Sequence, residues 1–136
     1  MSRPSWDLIW IKFAQSIAAR SVDPRTKVGA VIVTDDNTQV LAVGYNGDHK
    51  GGPNAIESVI PGESGLIHAE INALIKCDYN SHQKKIMYVT VSPCILCSKA
   101  IINAGISKIV YCNEYRDSTG VKFLKQEGLE VVKFDV

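Results

Sequence analysis

The sequence has no run of basic residues and no long apolar stretch. Its 136 residues carry 15 Lys and Arg against 14 Asp and Glu, a formal net charge of +1. Proteins that bind long nucleic acids usually present a basic stripe, so this near-equal number of basic and acidic residues favours a small substrate. No segment reaches the ~18 apolar residues of a membrane-spanning helix, and the N-terminus lacks the apolar core of a signal peptide. We therefore expect a soluble protein of the cytoplasm (the host cytoplasm if it is viral), with no membrane and no long nucleic acid among its partners.

Cysteine is also scarce, at 4 residues. In a chain without a secretory signal, cysteines indicate metal ligands or free thiols sooner than disulfides. Cys94 and Cys97 form a Cys-x-x-Cys pair, whereas Cys77 and Cys112 lie in the apolar contexts typical of buried free thiols. The sequence has no stretch with the composition of an interdomain linker, and it has no internal repeat. Residues 1–136 are therefore predicted to form one domain.

Alternating helical and strand patterns predict an α/β fold. The helical segments are 5–20, 68–77, 94–104 and 118–127, and the strand segments are 28–34, 39–45, 86–91, 106–112 and 129–134. The polar turn between the first two strands predicts an antiparallel hairpin, and strands joined through helices imply parallel neighbours. We expect a three-layer αβα fold with a central mixed five-stranded sheet.

Two short motifs carry the chemistry: His68-Ala69-Glu70 and Pro93-Cys94-Ile95-Leu96-Cys97. A catalytic zinc typically takes three protein ligands and leaves its fourth position to water. His68, Cys94 and Cys97 are the predicted ligands, with both thiols on one side of a helix N-terminus that favours the thiolate. A lone Cys-x-x-Cys could be a redox pair, but His-x-Glu with Pro-Cys-x-x-Cys is the signature of zinc nucleobase deaminases.

Glu70 is not one of the three predicted metal ligands. A carboxylate beside a metal site that does not need it as a ligand predicts a catalytic role for that carboxylate. Zinc lowers the pKa of a bound water toward neutrality. A carboxylate alternates between base and acid, so Glu70 is predicted to deliver that proton to ring N3 of a cytosine and next to carry a proton to the departing amine. Ala69 is small enough to leave the pocket open, and its backbone is a candidate partner for the base.

Two polar loops are candidates for recognising the substrate. The loop with Ser21, Arg25 and Thr26 places a permanent cation beside two hydroxyls, a set suited to a phosphate, although an ordinary polar loop explains it too. Gly44-Tyr45-Asn46-Gly47 permits a sharp turn with Asn46 aimed into a site, and a simple turn explains it equally well. The long loop 48–67 has the length of a lid or binding segment.

Several stretches together resemble the deoxycytidylate (dCMP) deaminase family of the cytidine deaminase superfamily. They are residues 21–30, Gly44-Tyr-Asn-Gly, His68-Ala-Glu-Ile-Asn-Ala, Tyr88-Val-Thr-Val-Ser-Pro-Cys-Ile-Leu-Cys and Ala104-Gly-Ile. The resemblance implies a cytidine-deaminase-like fold, a catalytic Zn²⁺ and conversion of dCMP to dUMP for thymidylate synthesis. It also implies a set of substrate contacts: Ser21, Arg25, Thr26, Asn46, Ala69, Ser92, Pro93 and Tyr115.

The resemblance further implies regulation and assembly. Members are commonly homohexamers, activated by dCTP and inhibited by dTTP, with Mg²⁺ accompanying the triphosphate. The implied effector site is Gly44, Tyr45, Asn46, Gly47, Asp48 and Lys50. Many relatives bind a second, structural zinc through extra Cys and His residues before the His-Ala-Glu motif. Here that insert has His49 and no Cys, so a second zinc is not expected unless His49 or His82 recruits a ligand from elsewhere.

Other activities stay open at this point. A relative could act on dCTP, on free (deoxy)cytidine or on an adenosine in tRNA, and Arg25 with the even charge balance favours a mononucleotide. A non-catalytic zinc or nucleotide-binding module is the alternative of another class. Glu70 argues against it, because a structural zinc site has no use for that carboxylate.

Overall fold

The computed structural model describes residues 2–58, 60 and 64–136. The helices are α1 (Trp6–Ala18), α2 (Ala69–Leu74), α3 (Ile95–Asn103) and α4 (Thr119–Gln126), and the strands are β1 (Gly29–Thr34), β2 (Val40–Tyr45), β3 (Lys85–Val91), β4 (Ile106–Asn113) and β5 (Glu130–Lys133). This order confirms the predicted alternation of helices and strands.

The sheet has five strands in the order β2-β1-β3-β4-β5. β1 is antiparallel to β2 and β3, whereas β3, β4 and β5 run parallel to one another. Within the hairpin turn, the hydroxyls of Thr34 and Thr38 both donate to Asp36 Oδ1, at 2.6 and 2.7 Å. Asn37 completes the turn with a left-handed φ of 68°, which its short polar side chain tolerates. The mixed five-stranded sheet is therefore confirmed.

Helices cover both faces of the sheet. α1 packs on one face, and α2, α3 and α4 pack on the other. The central strands β1 and β3 are buried on both faces, which is why each reads as a continuous apolar run. The hydroxyl of the buried Tyr88 donates to Asp7 Oδ1 at 2.6 Å and ties the start of α1 to the sheet. The three-layer αβα arrangement is as predicted.

One helix is shorter than its pattern predicts. No helix-breaking residue occurs between His68 and Cys77, so the pattern predicts a helix that continues to Cys77. In the structure α2 ends at Leu74. The amides of Lys76 and Cys77 instead bond to the carbonyls of Ala73 and Leu74, three residues back, at 3.2 and 3.0 Å. The chain therefore tightens into turns before it enters the polar connection to β3. Cys77 is half-buried and Cys112 is buried, both as free thiols.

Among the described residues, no helix combines the length and the hydrophobicity needed to cross a membrane.

Candidate active site

The two motifs meet where two helices begin. His68 is the N-cap residue of α2 and Cys94 is the N-cap residue of α3, both with extended backbone. His68 Nδ1 lies 3.2 Å from Cys97 Sγ and 3.6 Å from Cys94 Sγ. The ligand atoms of these three residues all lie within 4.8 Å of one another. The structure thus brings together the three predicted metal ligands from segments 26 or more residues apart in the chain.

Local sequence explains this geometry. Pro93 disfavours helical backbone in the residue before it and directs the chain out of β3 into the start of α3. Cys94 Sγ then accepts the backbone N–H of Cys97 at 3.4 Å, in the manner of an N-cap side chain. His68 is held by its neighbour Ile67, whose backbone pairs in both directions with Gly47 at 2.8 and 3.0 Å.

The electrostatics of the cluster favour a thiolate. The hydrogen bond from the Cys97 thiol, with further help from His68, lowers the pKa of Cys94 to about 4. The same hydrogen bond raises the pKa of Cys97, because an ionised Cys97 has no proton to donate to Cys94, and burial raises it further. The hydrogen bond to Cys94 also raises the pKa of His68. Two thiol sulfurs and an imidazole nitrogen in one small cluster are a donor set that fits Zn²⁺.

Glu70 lies beside this cluster and outside it. It stands in the first turn of α2 and is only 5% exposed. Burial raises the pKa of its carboxyl to about 7, because the charged form loses hydration. A carboxyl with a pKa near neutrality can both accept and release a proton at physiological pH, as a proton shuttle must.

A cavity of about 480 Å³ opens over the cluster and Glu70. This volume is in the usual range for small-molecule sites. Most of the residues proposed from the sequence line it: Arg25, Thr26, Asn46, His68, Ala69, Glu70, Ser92, Cys94 and Tyr115. The candidate phosphate loop and the candidate metal centre therefore face one space.

Ser21 and Pro93 lie behind the cavity wall. Ser21 is 3% exposed, and its hydroxyl donates to the carbonyl of Asn46 at 2.9 Å. Pro93 is buried against α4, where a Cβ on Gly120 would collide with its carbonyl oxygen. The structure thus places both residues as supports of the wall rather than in it, and a direct substrate contact for either stays a prediction.

Sequence reasoning missed several residues of the cavity wall. Those with charged or amide side chains are Asp23, Lys27, Asn113, Glu114 and Arg116. Asn113 ends β4 beside Ser92, and the rule that sites gather at the carboxyl ends of parallel strands would have found this segment. Ser92 Oγ accepts the backbone N–H of Tyr115 at 2.7 Å, and the Arg116 guanidinium lies 4.6 Å from the Tyr115 ring centroid.

The candidate effector loop stands next to α2. A Cβ on Gly44 would lie 2.5 Å from the Ala69 carbonyl oxygen, so this glycine allows β2 to contact the helix backbone. Tyr45 lies 5.8 Å beneath the Arg20 guanidinium. Asp48 accepts the backbone N–H groups of His49 and Asn54, at 2.8 and 3.2 Å. Lys50 is exposed. These contacts order the loop and connect it to the residues around His68.

Comparison with known proteins agrees with this chemistry. Residues 4–113 match the family model described as the cytidine and deoxycytidylate deaminase zinc-binding region. The chain is 38% identical to the deoxycytidylate deaminase of Mycobacterium phage D29, over 84% of this chain and 99% of that protein. It is 36% identical to the deoxycytidylate deaminase of Saccharomyces cerevisiae, over 98% of this chain but 46% of that longer protein. Among solved structures, the chain is similar to the dCMP deaminase of cyanophage S-TIM5 in complex with dCMP and dUMP. The two chains are 35% identical and superpose with a TM-score of 0.83, and the match covers 98% of this chain and 100% of that chain.

Proposed function

Because this chain belongs to the cytidine and deoxycytidylate deaminase family, we propose that it hydrolyses dCMP to dUMP and ammonia and supplies dUMP for thymidylate synthesis. One observation carries the proposal: a single cavity is lined by the buried carboxyl of Glu70, by His68 and Cys94 of the His/Cys/Cys cluster, and by Arg25. The first two features suit deamination of a ring, and the third suits a phosphate. Residues 1–136 would act as one catalytic domain.

His68, Cys94 and Cys97 would hold the zinc. When bound, the metal lowers the pKa of a water so that it can add to C4 of the cytosine ring. Glu70 takes a proton in that step and places it on ring N3, which makes C4 more electrophilic. The carboxylate then takes the second proton from the hydroxyl that C4 has gained and delivers it to the exocyclic nitrogen. The C4–N bond breaks, ammonia leaves and C4 becomes the carbonyl carbon of dUMP. A pKa of about 7 matches both directions of transfer.

The remaining wall would recognise the nucleotide. Arg25 offers a planar, permanently charged fork that matches the geometry of a phosphate, and Thr26 lies beside it. Ala69 is 1% exposed and lines the cavity, where a larger side chain would take space from the base. The Tyr115 ring lies at the wall and offers an aromatic surface to the nucleotide.

Ammonia release from dCMP, dCTP, deoxycytidine and an adenosine-containing RNA hairpin tests this substrate assignment. We expect dCMP to have the highest kcat/KM. Deoxycytidine turning over while dCMP stays inert would refute the phosphate role of Arg25. Preference for dCTP or for RNA would assign the cavity to the corresponding alternative substrate.

We also propose that dCTP activates and dTTP inhibits through the loop 44–50, with Mg²⁺ bound to the triphosphate. Two contacts support a route from this loop to the site. Gly47 pairs with Ile67, the residue before His68, and Asn72 Nδ2 of α2 donates to the Tyr45 carbonyl at 2.9 Å. A ligand that shifts this loop would therefore shift α2. We expect a sigmoidal dCMP curve that dCTP makes hyperbolic and dTTP depresses, and a hyperbolic curve insensitive to both would exclude this regulation.

For assembly and location we propose a homohexamer in the cytoplasm. The outer face of α1 supports subunit contact, because Trp6 is 50% exposed and Ile9 and Phe13 are exposed beside it. Native mass by light scattering tests the hexamer, and a monomer at micromolar concentration would refute it. Fractionation of expressing cells tests the location.

A further inference from the structure

Asp23 and Asn46 connect the loop that carries Arg25 to the rest of the cavity wall. We propose that these two residues are positioning residues: they form a clamp that fixes residues 23–28 so that the Arg25 guanidinium meets the substrate phosphate. The inference rests on the proposed function, because it assumes that Arg25 binds that phosphate. It assigns a role to Asp23, and it gives Asn46 a positioning role that its hydrogen bonds to this loop carry.

The hydrogen bonds of Asn46 carry the first step. Its Oδ1 accepts the backbone N–H of Val28 at 2.8 Å. Its Nδ2 donates to the Thr26 carbonyl at 2.9 Å and to Asp23 Oδ2 at 3.3 Å. Asn46 is 7% exposed, and both of its amide hydrogens are therefore directed into the 23–28 loop. An amide used in this way has no hydrogen left to donate to a nucleotide.

Asp23 holds the other side of the same loop. Its Oδ1 accepts the backbone N–H of Arg25 at 2.8 Å and that of Thr26 at 3.4 Å. These bonds make an Asx turn around Pro24, which sets the direction of Arg25. The second carboxylate oxygen accepts from Asn46, so one carboxylate fixes the turn and attaches it to the chain after β2.

Charge supports a positioning role for Asp23. Its carboxylate lines the cavity that also presents Arg25. A carboxylate repels a phosphate, so Asp23 is not itself a phosphate ligand. If this charge had no other effect, removing it would improve the binding of dCMP. If Asp23 positions Arg25, removing it weakens binding despite the lost repulsion. The sign of the change in KM therefore decides between the two roles.

The experiment compares dCMP with deoxycytidine in the zinc-loaded protein, using Asp23→Asn and Asn46→Ala. Asp23→Asn keeps an oxygen for the Asx turn and loses the acceptor that faces Asn46. We expect each variant to raise KM for dCMP about tenfold, the usual scale for one hydrogen bond to a charged group, while kcat changes little. We expect kcat/KM for deoxycytidine, which lacks the phosphate, to fall less than kcat/KM for dCMP in each variant.

Two further readouts separate positioning from general damage. In an Arg25→Gln background, Asn46→Ala should add almost nothing to the loss with dCMP, because the group that it positions is gone. Hydrogen exchange at the amides of Arg25, Thr26 and Val28 should accelerate in the clamp variants. Asp35→Asn in the exposed hairpin turn and Asn103→Ala at the end of α3 are the matched controls, and we expect both to retain wild-type values.

Three outcomes would overturn the inference. An equal loss with both substrates would show that Asn46 serves the nucleoside or the fold as a whole. A lower KM for dCMP in Asp23→Asn would show that the carboxylate acts only by repulsion. Unchanged dCMP kinetics in both variants would show that the loop needs no clamp. Wild-type protein that leaves dCMP inert would instead refute the proposed function, so the two failures are distinguishable. If Asn46→Ala does not fold, the milder Asp23→Asn decides the question alone.

Discussion

Gly44→Ala should damage catalysis through backbone packing, although Gly44 is not itself one of the residues that line the cavity. A Cβ at this position would lie 2.5 Å from both the Ala69 carbonyl oxygen and the Ala73 nitrogen. Carbon needs about 3.5 Å from such atoms, so α2 would have to move away from β2 by about 1 Å. Glu70 is in the first turn of that helix and would move relative to Cys94, which belongs to a different helix.

The expected losses follow from that displacement. A misplacement of about 1 Å at a catalytic group can reduce turnover about 100-fold. Overpacking of this kind also costs about 1–3 kcal/mol of folding free energy. The assay is kcat with dCMP from ammonia release, alongside Tm and zinc content per chain. Wild-type kcat and Tm in Gly44→Ala would refute the packing argument.

Gly29→Ala is the matched control. A Cβ on Gly29 would collide with the Ala14 carbonyl of α1 on the opposite face of the sheet. No described residue of α1 lines the cavity wall. We therefore expect Gly29→Ala to have a lower Tm than the wild type, while the folded variant keeps most of the wild-type kcat. An equal loss of kcat in both variants would show that any strain in the sheet disables the site.

Three other perturbations test the site and the fold. Glu70→Ala should retain zinc but lose turnover by several orders of magnitude, more than the ~10²–10⁴-fold of proton transfer alone, and undiminished activity in a zinc-loaded sample would exclude the shuttle. Chelation should abolish activity and added Zn²⁺ should restore it, whereas activity that survives measured loss of metal would contradict zinc dependence. Burial and the Asp7 carboxylate raise the pKa of Tyr88, so folding stabilises the protonated phenol. That stability is present below the unfolded pKa of about 10 and is lost as pH rises beyond it, by up to ~1.4 kcal/mol per pH unit. Denaturant unfolding should therefore show a steeper alkaline loss in wild type than in Tyr88→Phe, and equal slopes would contradict this linkage.

The zinc cluster could be predicted from sequence because its information is local. Cys94 and Cys97 share one helical turn by spacing alone, and residue chemistry identifies them as soft ligands. The alternation of segments likewise predicts the sheet, since the turn at Asp36 and the helical connections leave few ways to pair the strands. The resemblance to the deaminase family added a set of candidate contacts that spacing could not supply.

Asn46 shows where that information ends. Its motif indicates a residue near a site, and nothing in the motif states which groups its amide meets. Those partners, at Asp23, Thr26 and Val28, lie about twenty residues away in the chain and come close only when β1 and β2 pair. The same holds for Gly44, which resembles part of an effector loop in sequence and is also a contact between strand and helix in space.

By itself the sequence determined the order of elements and the sheet type, and it nominated the candidate zinc-binding and acid–base groups, because each depends on residue type and short spacing. Only the tertiary structure decided that Glu70 is buried, with a pKa of about 7, and that Asp23 faces the same cavity as Arg25. Hydration and hydrogen-bond partners depend on what surrounds a side chain. Those surroundings are assembled from segments far apart in the chain.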